Sequence, residues 1–228
     1  MLIAFCLSSS IVLGSFIEES LEAYLISHNA HITEGHMSPE QRIQFCERLH
    51  SYGNIKTILE IGLNAGHSAE NFFNNCPNLE LFVSFDINMH EYVGYAVDYL
   101  SHKYDNRFLF IAGDSAVTVP QFFISHPDQL FDLIYVDGNH TFDYAINDII
   151  KCGMLAHPQT ILWVDDYHDP AVQAAVRMLE QYSIIKILNI YNYSGRCWIE
   201  AQYTTAFLSS HEAKQQPYAR HNLWRKKY

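Results

Sequence analysis

The sequence predicts an α/β protein on a doubly wound sheet of seven strands, mostly parallel, finished by an antiparallel hairpin and preceded by a helical cap. Three observations carry this reading. Five short apolar runs, each bounded by polar or turn residues, alternate with segments long enough for crossover helices. Right-handed connections leave such a rhythm few arrangements other than a Rossmann-like sheet with helices on both faces. After the fifth run the pattern changes to two strand-like stretches joined by Asn192, Tyr193, Ser194 and Gly195, a turn-forming segment that marks a hairpin.

The strands are expected at Thr57–Ile61, Leu81–Asp86, Phe108–Ala112, Phe131–Val136 and 160–164, with crossover helices at 68–75, 92–104, 116–125 and Phe142–Cys152. A helix over 171–182 leads into hairpin strands at 184–191 and Arg196–Tyr203. Asp169 followed by Pro170 reads as an N-cap with proline at the first helical position, and Thr141 as a cap for the helix after His140. Residues 1–53 form the cap, 54–205 the main domain and 206–228 a basic tail.

At 228 residues the chain fits one such domain and is large enough to bury a real core. Its formal net charge is −11, unevenly spread. Lys214, Arg220, Arg225, Lys226 and Lys227 lie in a terminal stretch without Asp or Glu, so the rest has nine basic against 25 acidic residues. A body at −16 repels phosphate backbones, which excludes nucleic acid as the expected substrate. The five cysteines are scattered and never in a CxxC pair, so neither a disulfide framework nor a zinc site is expected. Residues 1–16 are apolar but lack a basic start and are too short to span a bilayer. They are expected to pack as a helix, with a shortened export signal as the alternative. A cytoplasmic protein follows from this reading, and the apolar ends point to a homodimer.

The segment Ile58-Leu59-Glu60-Ile61-Gly62-Leu63-Asn64-Ala65-Gly66-His67-Ser68 runs from a strand through a glycine turn into a helix. Glycines let the backbone turn sharply and approach a ligand, and the helix start offers free N–H groups. The spacing is GxxxG rather than GxGxxG, and Glu60 would repel a pyrophosphate but suits a positively charged ligand. Asp86 ends the second strand, where an acid can take both hydroxyls of a ribose. Gly113, Asp114 and Ser115 follow the third strand, and Asp137 the fourth. Glu34, Gly35 and Met37 in the cap are candidates for lining the same crevice.

The glycine turn resembles motif I of the class I methyltransferases. That resemblance implies S-adenosylmethionine as cofactor, bound by Glu60, Gly62, Gly66, Ser68, Asp86, Asp114, Ser115 and Asp137. Two further stretches, Phe131–His140 in "FDLIYVDGNH" and Ile161–His168 in "ILWVDDYH", resemble the metal-dependent small-molecule O-methyltransferases of catechol, caffeoyl-CoA, macrolide-sugar and cephalosporin type. The resemblance spans about residues 55–200 and implies Asp137, Asp165 and Asp166 as metal ligands, with His140 as general base. Three carboxylates from adjacent strand ends are hard ligands suited to magnesium. Such an ion could lower the pKa of a bound hydroxyl, whose proton a nearby histidine takes. One departure stands out: the catechol group has Asp-Asn where this chain has Asp165-Asp166. The expected reaction is magnesium-assisted O-methylation of a small molecule. The alternatives are a metal-independent methyltransferase acting on nitrogen or another nucleophile, a nicotinamide or nucleotide-sugar enzyme, and a non-catalytic assembly protein that retains the fold.

Overall fold

The computed structural model describes residues 20–210. The expected apolar N-terminal helix and most of the basic tail therefore lie outside the described residues. Two cap helices come first, α1 (Leu21–Ser27) and α2 (Pro39–Tyr52). The alternating body follows: β1 (Thr57–Ile61), α3 (His67–Asn75), β2 (Leu81–Asp86), α4 (Glu91–Tyr104), β3 (Phe108–Ala112), α5 (Ser115–Ser125), β4 (Phe131–Val136), α6 (Phe142–Cys152), β5 (Ala156–Val164) and α7 (Pro170–Gln181). The hairpin β6 (Ile185–Tyr193) and β7 (Arg196–Tyr203) completes it. Residues 205–210 are helical.

The seven strands are ordered β3-β2-β1-β4-β5-β7-β6, with β7 antiparallel to both neighbours and all other pairs parallel. The chain leaves β1 toward β2 on one side and later returns to β4 on the other, so the switch point lies between β1 and β4. The expected helices are met to within a residue. The hairpin turn is tighter than expected: Tyr193 pairs with Arg196, and Ser194 and Gly195 turn the chain at φ 43° and 81°. Two successive positive φ values match the twist of the flanking strands. The fifth strand starts at Ala156, four residues before the expected start, because Ala156, His157, Pro158 and Gln159 are too polar to read as a buried run.

Strand side chains alternate between two cores. Ile58, Leu133, Tyr135, Trp163 and Trp198 join Phe45, Phe72 and the cap on one face. Leu59, Ile61, Ile134, Val136, Leu162, Val164 and Ile199 join α5, α6 and α7 on the other. This parity decides where the rim acids point. Asp137 and Asp165 continue the alternation that puts Tyr135 and Trp163 on the cap face.

Helix α2 is tied to the sheet by polar side chains as well as apolar ones. Phe45 and Leu49 are buried, and a flanking stripe reaches to the strand ends. Gln41 donates to Asp165, Gln44 accepts from the Trp198 indole N–H, Arg48 pairs with buried Glu200, and Tyr52 accepts from the Trp163 indole N–H. Asp169 caps α7 through the N–H groups of Ala171 and Val172, as its sequence context predicts. Thr141 occupies the N-cap of α6, but its side chain makes no capping bond.

Candidate active site

The carboxyl ends of β1, β2 and β4 meet around the glycine turn. Gly62, at φ 93°, lies so close to β4 that a Cβ there would stand 2.0 Å from the Asp137 carbonyl oxygen. Only glycine allows the two strand ends this approach. Gly66 is left-handed at φ 79° and starts α3 without a side-chain cap, leaving the first N–H groups of the helix for an anionic partner. Asp86 stands at the adjoining strand end, where one oxygen accepts from the Asn64 N–H at 2.9 Å and the other from the Asn88 N–H at 2.6 Å. These two bonds fix the carboxylate at the mouth of the crevice. Ile87 and Met89, 56% and 73% exposed, flank it. Sequence reasoning missed them, although apolar residues in a loop directly after an acid were a readable signal of a stacking surface.

Several expected ligands have other partners. Glu60 is fully buried, with its oxygens held by Ser68 Oγ at 2.5 Å and Ser84 Oγ at 2.6 Å. Burial raises its pKa to about 8, against the lowering effect of those hydroxyls. Glu60 and Ser68 thus brace the glycine turn from beneath. Ser115 Oγ donates to Asp148 at 2.6 Å, and burial of Asp148 raises its pKa to about 6. Asp114 caps α5 through the Ala116 N–H and lies 3.4 Å from the Tyr144 hydroxyl.

The cap closes over the turn. A Cβ on Gly35 would stand 2.3 Å from Asn64 Cγ, and the Gly35 carbonyl meets His67 Nδ1 at 3.2 Å. His67 Nε2 is 2.9 Å from Glu22, so one buried imidazole joins α1, the cap loop and the start of α3. Glu34 pairs with His90 at 2.7 Å, and Met37 packs against the cap-side core.

The second half of the site gathers at the ends of β4, β5 and β7, where the three acids expected to bind metal do not share one role. Asp165 is buried and accepts from four groups: Gln41 Nε2 at 2.5 Å, the Tyr135 hydroxyl at 2.7 Å, the Asp166 N–H at 2.8 Å and the Tyr193 hydroxyl at 3.4 Å. Both oxygens of Asp165 thus face protein donors, which sets this acid behind the cluster. The convergent group among the described residues is Asp137, His140 and Asp166, whose ligand atoms lie within 4.8 Å of one another. Asp166 reaches it because its backbone turns left-handed, φ 50°, and swings the side chain off the strand alternation.

Charge in this cluster is tightly balanced. His140 Nε2 is 2.8 Å from Asp166 and 3.9 Å from Asp137, and the two carboxylates raise the imidazole pKa to about 10. In this arrangement the two carboxylates favour the protonated form of His140. Arg196 donates to Asp166 Oδ1, and His168 Nδ1 lies 3.6 Å from the same atom. Despite burial, its bonds to His140 and Arg196 bring the Asp166 pKa down to about 2. Asp137 moves the other way: burial and the charge of Asp165 raise it. The sequence reading did not single out Arg196.

Residues 59–167 match the family model described as a methyltransferase domain. With the sheet order and the glycine turn, this match supports a methyltransferase of the S-adenosylmethionine-dependent kind. An O-methyltransferase from Bacillus cereus, solved with S-adenosylhomocysteine, is 16% identical, with 83% of this chain and 94% of that one covered and a TM-score of 0.68. TomG of Streptomyces achromogenes, an O-methyltransferase of tomaymycin synthesis solved with S-adenosylmethionine, is 17% identical over 81% and 87% at a TM-score of 0.63. The precorrin-6y C5,15-methyltransferase of Geobacter metallireducens is 11% identical over 78% and 95%, at 0.58. These likenesses are of fold. No curated protein matches the chain. Among the described residues no helix is long and apolar enough to cross a membrane.

Proposed function

We propose that the protein moves the methyl group of S-adenosylmethionine to a hydroxyl oxygen of a small molecule at the rim formed by β1, β2, β4 and β5. The observation that carries this reading is the adjacency of two dissimilar halves. On one side are a glycine turn, an uncapped helix start and Asp86; on the other is the Asp137, His140 and Asp166 cluster, within reach through the Gly62–Asp137 contact. The uncapped start of α3 suits the carboxylate of the cofactor, Asp86 its ribose, and Ile87 with Asp114 its adenine. The acidic body disfavours a nucleic acid acceptor. A cofactor made in the cytosol supports action there.

Asp137, Asp166 and His140 fit a divalent cation, and Asp165 supports them from behind by fixing Tyr135 and the Asp166 N–H. Two carboxylates with waters suit magnesium; the imidazole widens the choice to manganese and similar ions. When bound, such a cation would lower the pKa of an acceptor hydroxyl. The chain's own contribution is placement. Transfer from a sulfonium needs the acceptor oxygen in line with the methyl group, and the rim groups hold it there. His140 can take the acceptor's proton only once its bond to Asp166 is broken.

A metal-independent transferase is the second reading, favoured by the guanidinium that Arg196 already places on Asp166. Chelation with EDTA separates the two. The cofactor reading is tested by calorimetric titration of wild type and Asp86→Ala with S-adenosylmethionine and with NAD. Only the former should bind, and roughly tenfold or more weakly to the variant, the scale of a lost charged hydrogen-bond acceptor. Tight NAD binding, or unchanged affinity in Asp86→Ala, would overturn it.

A further inference from the structure

Arg196 is the first residue of β7 and follows the tight Ser194–Gly195 turn. That turn sets its side chain over the end of β5, where the guanidinium donates to Asp166 Oδ1. The other oxygen of Asp166 faces His140 at 2.8 Å. Both oxygens of this acid are therefore occupied by groups that carry or can carry positive charge. Asp165 faces Gln41, Tyr135, Tyr193 and the Asp166 N–H instead. Asp137 is the less committed carboxylate, with its nearest cationic partner 3.9 Å away. The exposures are unequal: the Asp166 side chain is 4% exposed and that of Arg196 45%. The acid is fixed, whereas the guanidinium can leave for water without opening a hole.

We propose that Arg196 and a divalent cation are mutually exclusive partners of Asp166, so that Arg196 sets how tightly the rim takes an ion. This rests on the reading of Asp137, His140 and Asp166 as a cation site. A cation arriving at that site meets Asp166 already neutralised, and must displace the guanidinium to use its oxygen. Removing the competing charge while keeping a polar side chain should therefore strengthen ion binding. A lysine, whose single ammonium forms no planar fork, should hold Asp166 less well than arginine and give an intermediate affinity.

The test is a titration of the full-length protein with manganese(II), following the free ion by its electron paramagnetic resonance signal. Wild type, Arg196→Gln, Arg196→Lys and the double variant Arg196→Gln/Asp166→Asn are compared, with circular dichroism melts to show that each is folded. Arg196→Gln should bind manganese roughly tenfold or more tightly than wild type, the scale of coupling between groups in direct contact. The double variant should lose that gain. Equal affinity in wild type and Arg196→Gln would overturn the competition while leaving the cation site standing. Absence of binding in both would overturn the competition and the cation site together. A gain that survives in the double variant would place the ion elsewhere and likewise reject the proposal.

Discussion

Glu60 offers the sharpest test of how the rim is supported. It is fully buried in β1, and burial raises its pKa from 4.5 to about 8. Between those values the folded protein keeps a proton that the unfolded chain has released. Stability must therefore fall as pH rises from about 4.5 through about 8. A displacement of about 3.5 pH units at 1.36 kcal/mol each corresponds to roughly 5 kcal/mol by about pH 9. Glu60→Gln is neutral throughout, still accepts from one hydroxyl and can donate to the other. The variant should lie within about 1 kcal/mol of wild type near pH 5 and be more stable by up to roughly 5 kcal/mol near pH 9. Urea unfolding followed by tryptophan fluorescence reads this directly. At a slope of about 2 kcal/mol per molar, the midpoint should move up by as much as about 2.5 M at the alkaline end. If wild type and variant lose stability in parallel across the range, Glu60 does not titrate there and the argument fails.

Other consequences are equally open to measurement. Gly62→Ala puts a Cβ 2.0 Å from a backbone oxygen at a left-handed position, so it should destabilise by about 3 kcal/mol or more, read as a lowered melting temperature; a neutral result would mean that the β1 and β4 ends are not pressed together. Asp165→Asn replaces an acceptor of four bonds by a group that must turn a donor toward some of them, and should cost about 2–4 kcal/mol in denaturant unfolding while leaving manganese affinity within about threefold. A large loss of ion binding with little loss of stability would return Asp165 to the ligand set. In protein kept free of divalent ions, the His140 ring protons should titrate far above the ordinary range, toward about 10, and fall back toward it in Asp166→Asn. The pair therefore stabilises the fold below the unfolded histidine pKa of 6.5, and that contribution fades as pH rises through about 10. A midpoint near 6.5 in both proteins by nuclear magnetic resonance would contradict the ion pair.

The fold was legible because apolar runs such as Leu81–Phe85 are bounded by polar turns, and because the hairpin breaks the crossover rhythm. The start of β5 was not, since a strand lengthened by polar residues at its open end gives no periodic signal. Within the site, the glycine turn and the strand-end acids could be located, but not the partners they choose. Asp165 and Asp166 are identical neighbours in sequence. Strand parity sends the first toward Gln41 and Tyr135, and a left-handed backbone sends the second toward His140 and Arg196. Ser68 and Ser115 looked equally free, yet each faces a buried acid whose position depends on strand and helix packing. Arg196 escaped notice because it joins the site only when β7 inserts beside β5, a pairing that spans more than thirty residues of chain.

The polar stripe of α2 has a consequence for how the polypeptide matures. Gln41, Gln44, Arg48 and Tyr52 take partners 111 to 154 positions downstream. During synthesis this early segment can coil and meet α3, but two of these four bonds wait for β5 and the other two for the last hairpin. Contacts of such range form late and slowly. The lining of the reaction chamber thus matures as a final act, and a nascent chain halted before β7 would carry five paired strands with their roof only half moored.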